Sequence, residues 1–155
     1  MRAFHIAAEI HGRTARQAFS GEGGLYGMGR WHTPGRLIVY ASQFLSLAAL
    51  ETLVHLPRVD RIQPFVAWGI EIPDDLVMPP PKLPATWKTD LKVTQSLGDA
   101  WLARLAAPVI RVPSAIVDRE GESNFLLNPS HPKFSLKWVV SGPTPFVFDP
   151  RLTQR

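Results

Sequence analysis

A single carboxylate interrupts an otherwise uncharged, largely apolar run in this chain. The run is Phe44-Leu45-Ser46-Leu47-Ala48-Ala49-Leu50-Glu51-Thr52-Leu53-Val54. Its pattern predicts a helix over about Gln43–Leu56, with Ser42 as the cap and Pro57 as the stop. At helical spacing Glu51 shares a face with Phe44, Leu47, Ala48 and Val54, and that stripe is expected to be buried. An ionised carboxylate seldom enters such a stripe without a partner, because desolvation disfavours its charge. Glu51 is therefore either paired for structure or held for chemistry.

The elements around this helix point to an α+β domain. Met1–Ile6 reads as a short strand and Thr14–Phe19 as a helical turn. Gly21 to Gly29 holds five glycines in nine residues and reads as a loop. Leu37–Ala41 reads as a buried strand. Phe65–Ile72 alternates, with Val66, Trp68, Ile70 and Ile72 on one face, and reads as another. The proline-rich 77–84 stretch predicts an extended, semi-rigid connection, inert or forming a rim. A second helix is expected from Ser96 or Asp99 to about Ala107, with Trp101, Leu102, Leu105 and Ala106 inward and Pro108 ending it. Val109–Val117 reads as a strand interrupted at Pro113-Ser114. Leu136–Val140 and Phe146–Phe148 read as closing strands around a Ser141-Gly142-Pro143 turn. Strands outnumber helices and do not alternate regularly with them, which favours α+β over a doubly wound fold. The expected architecture is one compact domain over residues 1–155, with central mixed or antiparallel strands and flanking helices.

Composition removes several chemistries. The chain has no cysteine, so thiol nucleophiles, cysteine-ligated zinc, iron–sulfur clusters and disulfides are excluded. Histidines 5, 11, 32, 55 and 131 show no metal-ligand pairing, and no metal is expected. No G-x-S-x-G elbow or Walker sequence occurs, and the glycine loop fails G-x-G-x-x-G because Tyr26 takes the sixth place from Gly21. The net charge of +4 invites a nucleic-acid reading, but Lys and Arg are scattered singly, so direct nucleic-acid binding is disfavoured. The N-terminal apolar stretch is too short and polar for a signal peptide, and no segment has the apolar length to cross a bilayer. A cytoplasmic protein is expected.

What remains is Arg30 in Gly27-Met28-Gly29-Arg30-Trp31, Tyr40 in its strand, Glu51, and a serine. Arginine offers a planar fork to phosphate, and glycines around it let backbone approach a ligand. An aromatic ring can lie over a cationic or planar group. A carboxylate can bond a ribose hydroxyl and stabilise an oxocarbenium-like centre. NAD+ would use all of these, having a pyrophosphate, a cationic nicotinamide and a labile glycosidic bond. Each residue also has a plain reading. Arg30 could follow a turn at the surface, Tyr40 could be core, Glu51 could pair structurally, and Ser114 could mark a strand bend after Pro113. Asn128-Pro129 reads as a turn with Asn128 bonding its own backbone.

Several segments together resemble the RES-domain toxins of bacterial toxin–antitoxin pairs, named for an arginine, a glutamate and a serine. They are Gly29-Arg30-Trp31-His32-Thr33-Pro34-Gly35, Val39-Tyr40-Ala41-Ser42, Ala48 to His55 around Glu51, Val112-Pro113-Ser114-Ala115, Asn124 to Pro132, and Phe148-Asp149-Pro150-Arg151-Leu152. The resemblance implies a fold like that of ADP-ribosylating toxins and an NAD+ pocket. In that pocket Arg30, Tyr40, Glu51 and Ser114 would be catalytic, and Gly29, Arg30, Trp31 and Tyr40 would hold the dinucleotide. It also implies a Cro/Xre-like antitoxin partner. The acceptor stays open among water, phosphate and a target protein side chain. The family departures are His32, where many relatives carry asparagine, and Trp31, where some carry tyrosine. A basic nucleic-acid-binding module without enzymatic activity is the rival reading.

Overall fold

The computed structural model describes residues 1–56, 64–117 and 121–153. Seven strands form one mixed sheet: β1 (Arg2–Ala8), β2 (Val39–Ser42), β3 (Phe65–Glu71), β4 (Val77–Met78), β5 (Val109–Pro113), β6 (Ser123–Leu127) and β7 (Val139–Phe146). Their order is β4-β5-β6-β2-β1-β3-β7. Among the described residues only the β4–β5 pair is parallel, and the other pairings are antiparallel. The helices are α1 (Glu9–Gly12), α2 (Ala15–Ala18), α3 (Gly23–Tyr26), α4 (Leu45–His55), α5 (Leu91–Arg104) and α6 (Pro150–Thr153). The α+β class is as expected.

Side-chain alternation along the central strands makes two different faces. Val39, Ala41, Val66, Trp68, Phe125 and Leu127 pack into one cluster with Phe19 and Trp138. The opposite face is split. Under α5, Trp101 and Leu102 pack on Ile110, Val112 and Leu126, with Trp31 and Ile38. Under α4, Ala48 packs on Ile6, Phe65 and Ala67, with Phe148. Each fully buried large apolar side chain contributes about 1.5–3 kcal/mol. Neither helix alone covers this face. A cavity between them is lined by Tyr40 and Ser42 of β2 and Asn124 of β6. Burial on both faces also explains β3, whose first six residues are all buried where one apolar face was expected.

Several boundaries differ from expectation. Ser42 does not cap α4. It ends β2 and its hydroxyl donates to Asn124 Oδ1 at 2.6 Å, while Phe44 stands at the N-cap with no side-chain bond. Pro57, expected to stop that helix, lies outside the described residues. Leu47 and Ala48 are buried as expected, but Phe44 and Val54 are 45% and 62% exposed, so the buried stripe is narrower than the apolar run. Helix α5 starts at Leu91, capped by Asp90, well before Ser96 or Asp99. Its first turns are polar because they grip a loop rather than the core, a role periodicity cannot register. Leu105 and Ala106, expected inward, are exposed, and Leu105 is the left-handed C-cap with φ of 48°. Val109–Val117 forms a strand only to Pro113. Ser141-Gly142-Pro143 is no turn. It lies inside β7, which runs along β3 with register shifts near Gly69. An edge strand tolerates this proline because its missing N–H costs no ladder bond there. Strand β6 was not anticipated, although all five of its residues are buried. The glycine loop contains the short helix α3.

Candidate active site

Ser42 and Asn124 lie directly opposite in the β2–β6 ladder, and their side chains share a face. Val112 stands opposite Asn124 on the other side, and Ser114 follows two residues later, just beyond the end of β5. Glu51 reaches this patch from α4. Its Oε1 accepts from Asn124 Nδ2 at 2.6 Å and from Ser114 Oγ at 2.8 Å. Ser114 Oγ in turn accepts the backbone N–H groups of Ile116 and Val117, at 3.1 and 3.0 Å. With one proton per hydroxyl, the Ser114 hydroxyl hydrogen is the one given to Glu51. Glu51 is half-buried, and the opening question about it is answered in part: among the described residues it is paired by neutral donors and not by a cation.

The loop before β2 forms the opposite wall, and α5 holds it. Thr94 Oγ1 donates to the carbonyl of Arg30 at 2.6 Å, and Gln95 Nε2 to that of Gly29 at 3.0 Å. Asp99 accepts from the backbone N–H of Thr33 at 3.1 Å and from its hydroxyl at 2.6 Å. Gly98 lets the Trp31 carbonyl lie where a Cβ would be. The Arg30 guanidinium is thereby fixed. Its Nη1 donates to the carbonyls of Trp87 and Lys88 at 3.3 and 3.1 Å, and its Cζ lies 5.8 Å from the centre of the Trp87 ring. The stretch after the prolines thus supplies the socket for Arg30.

Tyr40 joins the two walls. Its hydroxyl accepts the Trp31 N–H at 3.3 Å and lies 2.7 Å from His32 Nδ1. His32 Nε2 lies 3.0 Å from the carbonyl of Gly27, which can only accept. In the neutral ring Nε2 therefore carries the hydrogen, Nδ1 accepts, and Tyr40 donates. Desolvation lowers the His32 pKa, which favours this neutral form, and desolvation raises the Tyr40 pKa well above its ordinary value. Gly29 is needed here, since a Cβ would sit 2.5 Å from the Tyr40 hydroxyl oxygen and 2.6 Å from His32 ring atoms. Arg30, Tyr40 and Glu51 all line one cavity of about 390 Å³, together with His5, Thr52 and His55. That volume suits a bound small molecule. Among the described residues, no group of three His, Asp or Glu side chains could hold a metal ion, and no helix is long and apolar enough to cross a membrane.

A sequence model of the RES domain matches residues 2–149. The chain belongs to the RES family. It is 37% identical over 128 residues to a Toxin Res of Yersinia enterocolitica, covering 80% of this chain and 83% of the relative. It is 38% identical over 135 residues to a Toxin Res of Pseudomonas putida, covering 81% and 88%. It is 33% identical over 144 residues to a Prs ADP-ribosylating toxin of a Sphingobium species, covering 88% and 87%. Its fold is similar to a chain of the M. tuberculosis MbcT–MbcA toxin–antitoxin complex, with a TM-score of 0.70 at 16% identity, over 99% of this chain and 86% of that one.

In this RES domain, three of the four residues singled out as catalytic reach the cavity wall, and the fourth does not. Ser114 is 1% exposed, and its hydroxyl bonds Glu51. Gly29, Arg30, Trp31 and Tyr40 are all on the wall. The Trp31 ring is buried beside Trp87, so its backbone shapes the wall more than its ring does. Sequence reasoning passed over Asn124, Ser42 and Trp87. Asn124 stands at the edge of an apolar run, between Glu122-Ser123 and Phe125-Leu126-Leu127, and so gave a weaker signal than Glu51. Trp87 carried none. Asn128 behaves as expected, its Oδ1 accepting the N–H of Ser130 at 3.0 Å.

Proposed function

We propose that this RES-domain protein is the toxin of a toxin–antitoxin pair, and that it binds NAD+ in the cavity and breaks the nicotinamide–ribose bond. The observation that carries the reading is that Arg30, Tyr40 and Glu51 line one cavity with Glu51 held by two neutral donors. Arg30 keeps Nε and Nη2 for a pyrophosphate, since among the described residues its backbone bonds use Nη1 alone. Tyr40 packs against nicotinamide or its ribose. Its hydroxyl hydrogen is engaged by His32, so it serves as a wall and not as an acid. No acid is needed, because the electron pair of the breaking bond returns to the nicotinamide nitrogen and neutralises its charge. Glu51 accepts from a ribose hydroxyl and stabilises the cationic anomeric carbon. An acceptor oxygen then bonds to that carbon and releases its proton to solvent.

Water as acceptor would give ADP-ribose, phosphate would give ADP-ribose phosphate, and a protein side chain would give a modified target. The relative described as an ADP-ribosylating toxin supports transfer to protein. Similarity to a chain of a toxin–antitoxin complex supports a protein antitoxin as partner, and the family resemblance supports a Cro/Xre type. The deciding experiment incubates purified protein with NAD+, with and without phosphate, and then with cell extract and labelled NAD+. Loss of NAD+ by wild type, and none by a folded Glu51→Ala variant, supports the reading. Intact NAD+ in every mixture overturns it.

A further inference from the structure

Both donors to Glu51 converge on one oxygen. Asn124 Nδ2 and Ser114 Oγ each bond Oε1, and among the described residues Oε2 accepts no hydrogen bond. The direction of every bond in this chain is settled. A carboxylate can only accept, so Asn124 presents its amide nitrogen to Glu51, and its Oδ1 must be the atom that accepts from Ser42 Oγ at 2.6 Å. Ser42 and Asn124 are 3% and 8% exposed, so water does not readily replace either partner. A buried amide would lose more by turning over than by staying, because its oxygen would then face the carboxylate and its NH2 the Ser42 hydroxyl.

From this geometry we infer that Asn124, oriented by Ser42, is a positioning residue that makes the two oxygens of Glu51 unequal: Oε1 is anchored to the sheet and Oε2 is the oxygen that works on the substrate. The inference rests on reading the cavity as an NAD+ site. Its consequence is mechanical. Rotation of the Glu51 carboxyl would break two bonds at once, so Oε2 keeps one position while charge develops on the ribose. Ser114, just past the end of β5, and Asn124, in β6, approach Oε1 from different segments, and either alone would leave the carboxylate free to pivot. Holding a reacting group within a fraction of an ångström governs the chemical step more than it governs binding.

The test compares NAD+ turnover by wild type with that of Asn124→Ala, Asn124→Asp and Ser42→Ala, with melting curves to confirm folding. Asn124→Ala is expected to lower kcat by about 10- to 100-fold with KM within about threefold of wild type. Ser42→Ala removes the donor to Asn124 Oδ1 and leaves the amide held by Glu51 alone, and a smaller loss of about three- to tenfold is expected. Asn124→Asp supplies the readout that a packing defect would not move. Two facing carboxylates cannot both stay ionised without repulsion, so above neutral pH Glu51 is driven off its anchor. As pH falls, one shared proton lets Asp donate to Glu51 again, and the deficit relative to wild type should shrink at least tenfold between about pH 8.5 and 6. The other titratable groups on the cavity wall, His5, Arg30, His32, Tyr40 and His55, are the same in each protein and cancel in the ratio. An inert wild type overturns the NAD+ reading and this role with it. An active wild type overturns this role alone if Asn124→Ala turns over as fast, or if the Asn124→Asp deficit is the same at every pH.

Discussion

The Tyr40 hydroxyl donates a hydrogen bond to His32 Nδ1 across 2.7 Å, and the carbonyl of Gly27, 3.0 Å from Nε2, is what makes Nδ1 the acceptor. A loop carbonyl thus decides the direction of a bond on the cavity wall. It also makes the family departure at His32 intelligible, since asparagine too offers one acceptor and one donor.

His32→Phe removes the acceptor and leaves a buried phenol unpaired, at a cost of about 1–3 kcal/mol. NAD+ turnover should fall about tenfold, and His32→Asn should keep most of it. Steady-state kinetics on the two variants check this. Equal losses in both would show that ring volume, and not the hydrogen bond, is what matters.

Stability should fall in mild acid. Burial lowers the folded pKa of His5 and of His32 from 6.5. Below about 6.5 the unfolded chain takes up protons that the folded protein refuses, so acid favours unfolding there, and above it the two states bind protons alike at these rings. Melting temperature is therefore expected to be level at pH 7–8 and to drop as pH falls through 6.5 towards 5. His32→Asn should make that slope shallower in the same thermal scans.

Gly98→Ala sets two effects against each other. Alanine favours the helix by up to about 1 kcal/mol over glycine. The new Cβ would collide with the Trp31 carbonyl, which is backbone and cannot swing away. The collision wins, because overpacking costs about 1–3 kcal/mol and the loop carrying Arg30 must move with it. Urea unfolding should show a net loss of stability. Turnover should fall further than at Gly27→Ala, where the nearest atom to a Cβ is the Gly23 carbonyl at 3.6 Å.

Arg30→Lys keeps the charge and loses the fork. A lysine cannot bond the carbonyls of Trp87 and Lys88 while presenting further N–H groups to a pyrophosphate. KM for NAD+ should rise about tenfold or more with melting temperature little changed. Trp87→Ala removes only the ring under the guanidinium, and a rise of about two- to fivefold is expected.

Phe125→Ala separates fold from site. Phe125 is 1% exposed and packs on the sheet face away from the cavity. A loss of about 3–5 kcal/mol is expected, enough to lower the melting temperature by about 10 °C. At low temperature kcat should stay near the wild-type value. A fall in kcat in fully folded protein would show that the Asn124 position depends on its neighbour's packing.

Sequence alone was enough for the α+β class, for the helix carrying Glu51, for most of the strands, and for a candidate set whose members, Ser114 aside, meet at one cavity. The elements were legible because each rests on a local signal, periodicity or one charge in an apolar stretch, and the candidate set because the family resemblance joined that charge to Arg30 and Tyr40. The tertiary structure decided what lies opposite what. Pairing of β2 with β6 put Ser42 against Asn124, and β5 brought Ser114 to the same carboxylate from 63 residues away in sequence. Polar residues at the start of α5 fell outside the expected helix and hold the Arg30 loop. Hydrogen bonds between strands distant in sequence leave no periodic trace in either strand. The residues that hold Glu51 were therefore visible only once the sheet was assembled.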